Sequence, residues 1–471
     1  IDYPDSSYSF TIMLGIDLSD LGKKEFKKIV LMGSAQNLFV SQENAFVTYT
    51  QYSYYQPPWR IYEEILRDEL PEDVKEKIDA INASDSPEWV KDRSRINLAG
   101  EYVQTLNDTV QQAYYSVLGK KIEEDSEKFE EGEKTVVHKF SLGDEISYKG
   151  KGSVNGHALN QFSMDEHNGF FRIATTQGRL SRSGGGTQNN VFVLDAGLNT
   201  VGKLEGLAPG ESIYSARFMG NKAYLVTFKK VDPLFVINLT DPTNPSVLGK
   251  LKIPGYSDYL HPYDENYLIG LGKDAQEAEE GNFAWYQGVK LSLFDVRDVA
   301  LPKEVGSFII GDRGTDSYAL TDHKAFLFNK ERNLLVIPIL LAQINKEQYP
   351  DGVKANKYGD YTFQGAYVFD VNPQTGFKLR GRISHVTDDS LLKSGYYYNS
   401  DSSVKRSLYI EDALYTVSDA LVKANKLSTL AQIASVDLEK KTVAEPTVDA
   451  SCACTQEFAP VCGTDGVTYS N

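Results

Sequence analysis

Cysteine is nearly absent from this chain of 471 residues: there are three, none before Cys452, and then Cys452, Cys454 and Cys462 fall close together. The chain ahead of them therefore has no thiol for nucleophilic catalysis or metal ligation. Long apolar runs are missing too. The longest, Leu334 to Ala342, has nine residues, against the roughly 20 that a spanning helix needs, so no membrane span is expected. Positive charge is in deficit, with 49 Lys and Arg against 65 Asp and Glu and a net charge of −16. No basic cluster with interleaved aromatics occurs, which argues against nucleic acid as a partner. HExxH, Walker-loop, EF-hand and nucleophile-elbow spacings are also lacking.

What the chain has in quantity is aromatic and β-rich sequence, with 29 Tyr and 22 Phe, residue types that suit half-buried pleated strands. Within Glu211 to Gly272, short runs (IYSARF, KAYLVTF, LFVINL, VLGKLKI) alternate with turn chemistry such as MGN, VDP and DPTNP. Proline fixes φ in such turns, and Asn or Gly tolerates positive φ.

A signature repeats through the chain: an apolar strand ending in Asp or Asn, a polar turn, then a strand carrying Gly. The copies are IMLGIDL (Asp17, then Gly33), VVHKFSL (Ser141, then Gly150 or Gly152), VFVLDA (Asp195, Gly202) and LFVINL (Asn238, Gly249). LSLFDV (Asp295, Gly306), AYVFDV (Asp370, Gly381) and IASVDL (Asp437) complete the seven. Spacing from Ser141 onward is that of one four-stranded sheet plus loops of variable length. Such units must stack to bury both faces, and radial closure protects their edges. The reading is an all-β, seven-bladed β-propeller, with six or eight blades as alternatives. Its first sheet is represented by two strands, Ser7 to Leu18 and Lys27 to Gly33. Asn37 to Tyr52 reads as a hairpin turning near Glu43-Asn44.

The period becomes helical after Gln56-Pro57-Pro58. WRIYEEILRDEL, PEDVKEKIDAI behind Pro71, and a long segment from Ser86 to Leu118 read as a helical insertion between two strands of one blade. Ser86 is the expected N-cap, with Pro87 at the first helical position. One apolar stripe is expected from Trp89, Val90, Ile96, Leu98, Tyr102, Val103, Leu106, Val110 and Tyr114. The domain boundaries are thus 1–56 and 121–446 for the propeller, 57–120 for the insertion, and 447–471 for a linker and a small cysteine module. The acidic run Glu123 to Glu133 reads as a solvated linker. Gly184-Gly185-Gly186 stands before a strand and not a helix, so it reads as a loop and not a phosphate cradle.

Several polar residues fall in comparable regions of different blades: His157, Glu166, His167, His261, Asp264, Asp322 and His323. Of these, His261, Asp264, Asp322 and His323 are the metal candidates. The competing reading is that each fixes a turn by hydrogen bonding, as the strand-end Asp set is also expected to do. No cofactor is called for, with bound calcium or another divalent cation as the alternative. Asn82, Asn107 and Asn238 head N-x-Ser/Thr glycosylation sequons. Together with the clustered cysteines, which read as a disulfide module, they point to an extracellular or cell-surface location. The chain opens at Ile1 with no signal sequence, so a longer precursor is expected.

GHALNQFSMDEHNGFFRIATT (Gly156 to Thr176), the Glu211 to Gly272 unit, TDHKAFLFNKERNLLVIPI (Thr321 to Ile339) and RSLYIEDALYTVSDALVKAN (Arg406 to Asn425) resemble secreted β-propeller proteins distantly related to WD repeats and found mainly in archaea. The resemblance covers nearly all of Ile1 to Leu438 and implies a secreted or surface-tethered propeller with no assigned activity. CACTQEFAPVCGTDGVTYSN, Cys452 to Asn471, is similar to the first half of a Kazal-type serine protease inhibitor domain. That resemblance implies a protease-binding loop at Thr455, Gln456 and Glu457, with Gln456 entering the specificity pocket. It also implies disulfides from Cys452, Cys454 and Cys462 to three later cysteines, so the protein is expected to continue past Asn471.

Three functions fit this sequence. The first is a non-enzymatic secreted or cell-surface propeller acting as a binding or scaffold protein, its partners being other surface proteins or a second copy of itself. The second is inhibition of an extracellular serine protease through the Kazal-like module. The third is an extracellular enzyme using the propeller channel on glycan or peptide.

Overall fold

The repeat falls on the third and fourth strands of the sheets that carry it, and their register explains it. In the computed structural model, the residues described are 9–15, 27–32, 35–53, 57–66, 69–126, 132–143, 146–178, 186–228, 232–253, 255–277, 284–350, 352–388, 392, 400–438, 461–462 and 468–469. A two-stranded antiparallel sheet comes first, β1 (Phe10–Gly15) with β2 (Lys27–Met32). Six four-stranded sheets follow among the described residues, each a meander of sequence neighbours.

Sheet 1 holds β3 (Asn37–Val40), β4 (Asn44–Ser53), β5 (Gly132–Leu142) and β6 (Ile146–Asn155). Sheet 2 holds β7 (Met164–His167), β8 (Phe170–Gln177), β9 (Gln188–Leu194) and β10 (Thr200–Leu207). Sheet 3 is β11 (Ser212–Met219), β12 (Lys222–Phe228), β13 (Asp232–Asn238) and β14 (Ser246–Ile253). Sheet 4 is β15 (Tyr256–Pro262), β16 (Tyr267–Glu277), β17 (Ala284–Asp295) and β18 (Lys303–Ile310). Sheet 5 is β19 (Leu327–Asn329), β20 (Leu334–Gln343), β21 (Asp360–Asn372) and β22 (Gly376–Ile383), and sheet 6 is β23 (Arg406–Ile410), β24 (Ala413–Val417), β25 (Leu421–Lys426) and β26 (Gln432–Asp437).

In every one of these sheets the fourth strand bulges at the same place. Val193 pairs with Gly202 and Leu194 with Thr200, so Val201 is the extra residue. The same offset places Gly249 opposite Val236, Gly306 opposite Leu293, Gly381 opposite Val368 and Gly150 opposite Lys139. A bulge raises the local right-handed twist, and the glycine just past it admits close approach of another backbone. A Cβ on Gly202 would stand 2.1 Å from the Pro242 carbonyl oxygen, and one on Gly249 2.2 Å from that of Val299.

This register corrects the last copy of the repeat. Asp437 lies at the end of a fourth strand, not a third. In sheet 6 the bulge falls between Ala424↔Ala434 and Asn425↔Gln432, so Lys426 stands where sheets 2 to 5 have Asp or Asn and sheet 1 has Ser141, and Ala434 stands where the other five have Gly. Asp17 lies outside the described residues.

The described residues fall into two units, Ile1–Tyr256 with Asp298–Pro302, and Ser257–Arg297 with Lys303–Asn471. In the first, one core cluster packs Val191, Val193, Ile213, Leu225 and Ile237, and another packs Phe46, Val137, Ile173 and Phe192. In the second, Leu334, Val336, Val368, Val404 and Leu414 form the corresponding cluster. Burying such side chains contributes on the order of 1.5–3 kcal/mol each.

Four helices lie in the chain between β4 and β5, which nevertheless pair without a break from Asn44↔Ser141 to Ser53↔Gly132. They are α1 (Trp59–Leu66), α2 (Glu72–Ala83), α3 (Glu88–Gln104) and α4 (Asp108–Ser126). Their own core contains Trp59, Ile61, Leu66, Ile78, Val103 and Leu118. Three expectations need correction. Pro87, not Ser86, occupies the N-cap of α3, with no side-chain cap bond. The long helix is two helices, because Asn107 begins a new one by accepting the Val110 N–H at 3.1 Å. The apolar stripe is shared by both helices, Val103 of α3 and Tyr114 of α4 lying in the same core, but Val110 departs from it at 38% exposed. The start of the acidic run is helix rather than linker: α4 continues through Glu123, Glu124 and Asp125, tied to α1 by Lys121–Glu64 at 2.8 Å and by Arg60–Asp125.

Candidate functional site

The strand-end residues do fix turns. Asp195 accepts the N–H groups of Gly197 and Asn199 at 2.9 and 2.8 Å, Asn238 that of Thr240 at 3.1 Å, and Asp295 that of Arg297 at 3.1 Å. These bonds hold the carboxyl groups of Asp195 and Asp295 below their ordinary value, for Asp295 chiefly through the Arg297 side chain. In sheet 5 the turn bond passes to Asn372, which accepts the Gln374 N–H at 2.8 Å, while Asp370 pairs with Arg380 across the hairpin.

The metal candidates are each engaged separately. His261 Nδ1 lies 3.0 Å from the Tyr259 hydroxyl, and its ring packs against Phe326 and Phe328. Asp264 accepts the Asn266 N–H at 2.8 Å and pairs with Lys330 at 2.7 Å. Asp322 accepts the Lys324 N–H at 2.9 Å and pairs with Arg406. His323 follows it and faces Tyr259, ring centres 6.4 Å apart. In the first unit, Glu166 accepts from Ser41 Oγ at 2.5 Å and Asn44 Nδ2 at 2.8 Å. His157 pairs with Glu133 at 2.8 Å, and His167 Nε2 lies 3.2 Å from Asn221 Oδ1. Among the described residues, no three His, Cys, Asp or Glu side chains come together in a way that could hold a metal ion.

The three sequon asparagines share a feature. Each uses its Oδ1: Asn82 for Arg95 Nη1 at 2.6 Å, Asn107 for the Val110 N–H at 3.1 Å, and Asn238 for the Thr240 N–H at 3.1 Å. The nitrogen to which a sugar would be joined is not the atom in use.

Two cavities stand out. In the first unit, a cavity of about 390 Å³ opens where β3, β7 and β11, the first strands of three successive sheets, come together. Leu38, Val40, Phe162, Met164 and Phe218 line it, with Asp165 and Arg217. The Arg217 guanidinium lies 4.4 Å from the centre of the Phe162 ring. Asp165 binds Arg172 Nε at 2.9 Å, and Arg172 in turn lies over the Phe218 ring at 5.3 Å.

In the second unit, a cavity of about 270 Å³ is lined by Asp316, Ser317, Tyr318, Thr321, Leu340 and Ser403, among others. Asp316 and Leu340 exchange backbone hydrogen bonds at 2.8 Å in both directions. Lys273 Nζ donates to the Thr315 carbonyl at 2.5 Å and to Asp316 Oδ1 at 3.1 Å. Nearby, burial pushes the Asp258 carboxyl up to about 7, opposed by Lys273 and assisted by Asp316. None of Asp258, Lys273, Asp316 and Tyr318 was singled out by the sequence repeat. The one available signal was a lone carboxylate in the otherwise apolar run Tyr256-Ser-Asp-Tyr-Leu260.

Residues 1–430 match the family model described as "Beta propeller domain". The chain belongs to that family. The propeller is followed by a match to the model described as "Kazal-type serine protease inhibitor domain" over residues 439–471. The chain is 39% identical over 306 residues to an uncharacterized protein of Methanocaldococcus jannaschii, covering 64% of this chain and 40% of that one. It is also 35% identical over 304 residues to an uncharacterized protein of Archaeoglobus fulgidus, covering 64% of this chain and 45% of that one. The chain spans less than half the length of either relative.

The Kazal-like segment lies outside the described residues apart from two short paired stretches, Val461–Cys462 and Thr468–Tyr469. Thr455, Gln456, Glu457, Cys452 and Cys454 are all outside them. No helix among the described residues is long and apolar enough to cross a membrane.

Proposed function

We propose that this protein is a non-enzymatic binding protein of the cell surface or extracellular space whose seven-bladed propeller takes up a peptide segment of a partner. The observation that carries this reading is the first-unit cavity, in which apolar side chains such as Leu38, Val40 and Met164 stand beside polar ones and the Arg217 guanidinium lies over the Phe162 ring. Such a surface suits an apolar side chain flanked by a carboxylate, since arginine donates to a carboxylate through a fixed fork of N–H groups. The sequons and the cysteine cluster support the location.

A phage-displayed peptide library panned on the protein tests it. Selected peptides should carry an apolar residue beside Asp or Glu and bind Phe162→Ala at least about tenfold more weakly, a loss of about 1.4 kcal/mol. Peptides that bind wild type and Phe162→Ala equally well would refute the site. Steady turnover of chromogenic glycosides or peptides that disappears in Asp258→Asn would instead establish the enzyme reading, because Asp258 is the carboxyl whose environment suits a proton donor near neutral pH. The match at residues 439–471 favours a second activity, serine protease inhibition.

A further inference from the structure

The geometry points to a binding site for a single neutral sugar residue in the second-unit cavity, with Tyr318 as the stacking platform and Asp316, Ser403 and Thr321 as the hydroxyl-binding rim. This inference does not depend on the peptide site of the first unit, and either can fail without the other.

A sugar ring offers an apolar face of C–H groups and an edge of hydroxyls that donate and accept at once. The cavity presents the complement of both. Tyr318 opens a one-turn 3-10 helix and is 41% exposed, so its ring is available to a ligand. Asp316 is fixed in place by its backbone bridge to Leu340, and only its Oδ1 is used, by Lys273 and by the Ser317 N–H at 2.9 Å. Its Oδ2 has no hydrogen-bond partner among the described residues. Ser403 is 2% exposed and lines the cavity, and its hydroxyl likewise has no partner among the described residues.

Local charge selects for a neutral ligand. Lys273 balances Asp316, and Lys405, which lies 6.0 Å from the Tyr318 ring centre, is itself paired with Asp419 at 2.5 Å. An anion would meet Asp316 and Asp258, and a cation would meet Lys273 and Lys405. The volume, about 270 Å³, sits just under the range of about 300–1,000 Å³ typical of drug-sized ligands, so one ring fits and a larger ligand does not.

The probes are the methyl glycosides of glucose, galactose and mannose, with benzylamine as the cationic comparison. They are titrated into the whole protein by calorimetry, with saturation-transfer NMR identifying which protons touch it. At least one glycoside should bind with a roughly millimolar Kd, the range expected for a ligand of this size, and its ring C–H protons should receive the strongest transfer. Tyr318→Ala and Asp316→Asn should each weaken binding about tenfold or more with an unchanged circular dichroism spectrum, while Tyr318→Phe keeps it. Three results would overturn the proposal: no glycoside bound by wild type, equal binding by Tyr318→Ala, or benzylamine bound more tightly than every glycoside.

Discussion

Asp258 and His385 lie in the same unit and titrate over the same pH range with opposite consequences. Burial lifts the Asp258 carboxyl to about 7 and lowers the His385 imidazole to about 4. His385 is buried, with Nδ1 2.9 Å from Ser418 Oγ and Nε2 2.8 Å from Thr416 Oγ1, and loss of solvent, with Lys423 nearby, disfavours its charged form. An unfolded Asp titrates near 3.9, so the contribution from keeping Asp258 protonated is fully present below about pH 4 and is lost as pH rises to about 7. For His385 the contribution is fully present above about pH 6.5 and is lost as pH falls toward 4. Each is on the order of a few kcal/mol, so in the wild type they partly cancel. Asp258→Asn should therefore raise the urea midpoint relative to wild type at pH 8, with the gap closing by pH 4. His385→Asn should reduce the loss of stability between pH 7 and pH 4. Parallel pH profiles for wild type and both variants would show that neither group is held as the structure describes. His385 was not legible in the sequence, because nothing in a local pattern tells a buried lone histidine from an exposed one, and Asp258 left only the signal of a lone carboxylate between aromatic and apolar neighbours.

At the scale of elements, the alternation of β-rich runs and turns exposed the strands readily, and the Asp-turn-Gly signature marked third and fourth strands in sheets 2 to 5. What the sequence could not show was why the glycine is there. The bulge is a matter of register between two strands, and the crowding comes from a turn far along the chain, such as Pro242 against Gly202. Where the sheet can do without the motif, as in sheet 6 with Lys426 and Ala434, the pattern loses its phase and Asp437 offers a false match. The helix break at Asn107 was obscured because the apolar spacing carries on past the cap, both helices packing into one core. The crowding itself is testable. A methyl at Gly202 meets backbone, whereas one at Gly381 meets the movable end of Leu430 at 2.7 Å. Gly202→Ala should thus cost roughly 1–3 kcal/mol and Gly381→Ala clearly less, read from urea denaturation. Equal costs would mean that the close approach at Gly202 is not a constraint.

At the scale of the whole molecule, the propeller and the Kazal-like module present opposite problems to folding. The propeller builds stability from large buried sheets without a single cysteine, whereas a module of a few dozen residues has too little core and depends on disulfides. Inhibition of the Kazal kind needs those disulfides, because they hold a substrate-like loop extended before the protease arrives, so that little ordering entropy remains to be lost on binding. Gln456, at the pocket-entering position by resemblance, is matched neither to an acidic pocket nor to a deep apolar one, so the native loop should be inert toward trypsin. Gln456→Arg supplies the charge an acidic pocket binds. In full-length protein with the module's disulfides closed, that variant should inhibit trypsin where wild type does not, and reduction should abolish the effect. If Gln456→Arg leaves trypsin uninhibited while every cysteine is oxidised, the loop is not presented to proteases, and the module serves as a disulfide-held spacer after the propeller.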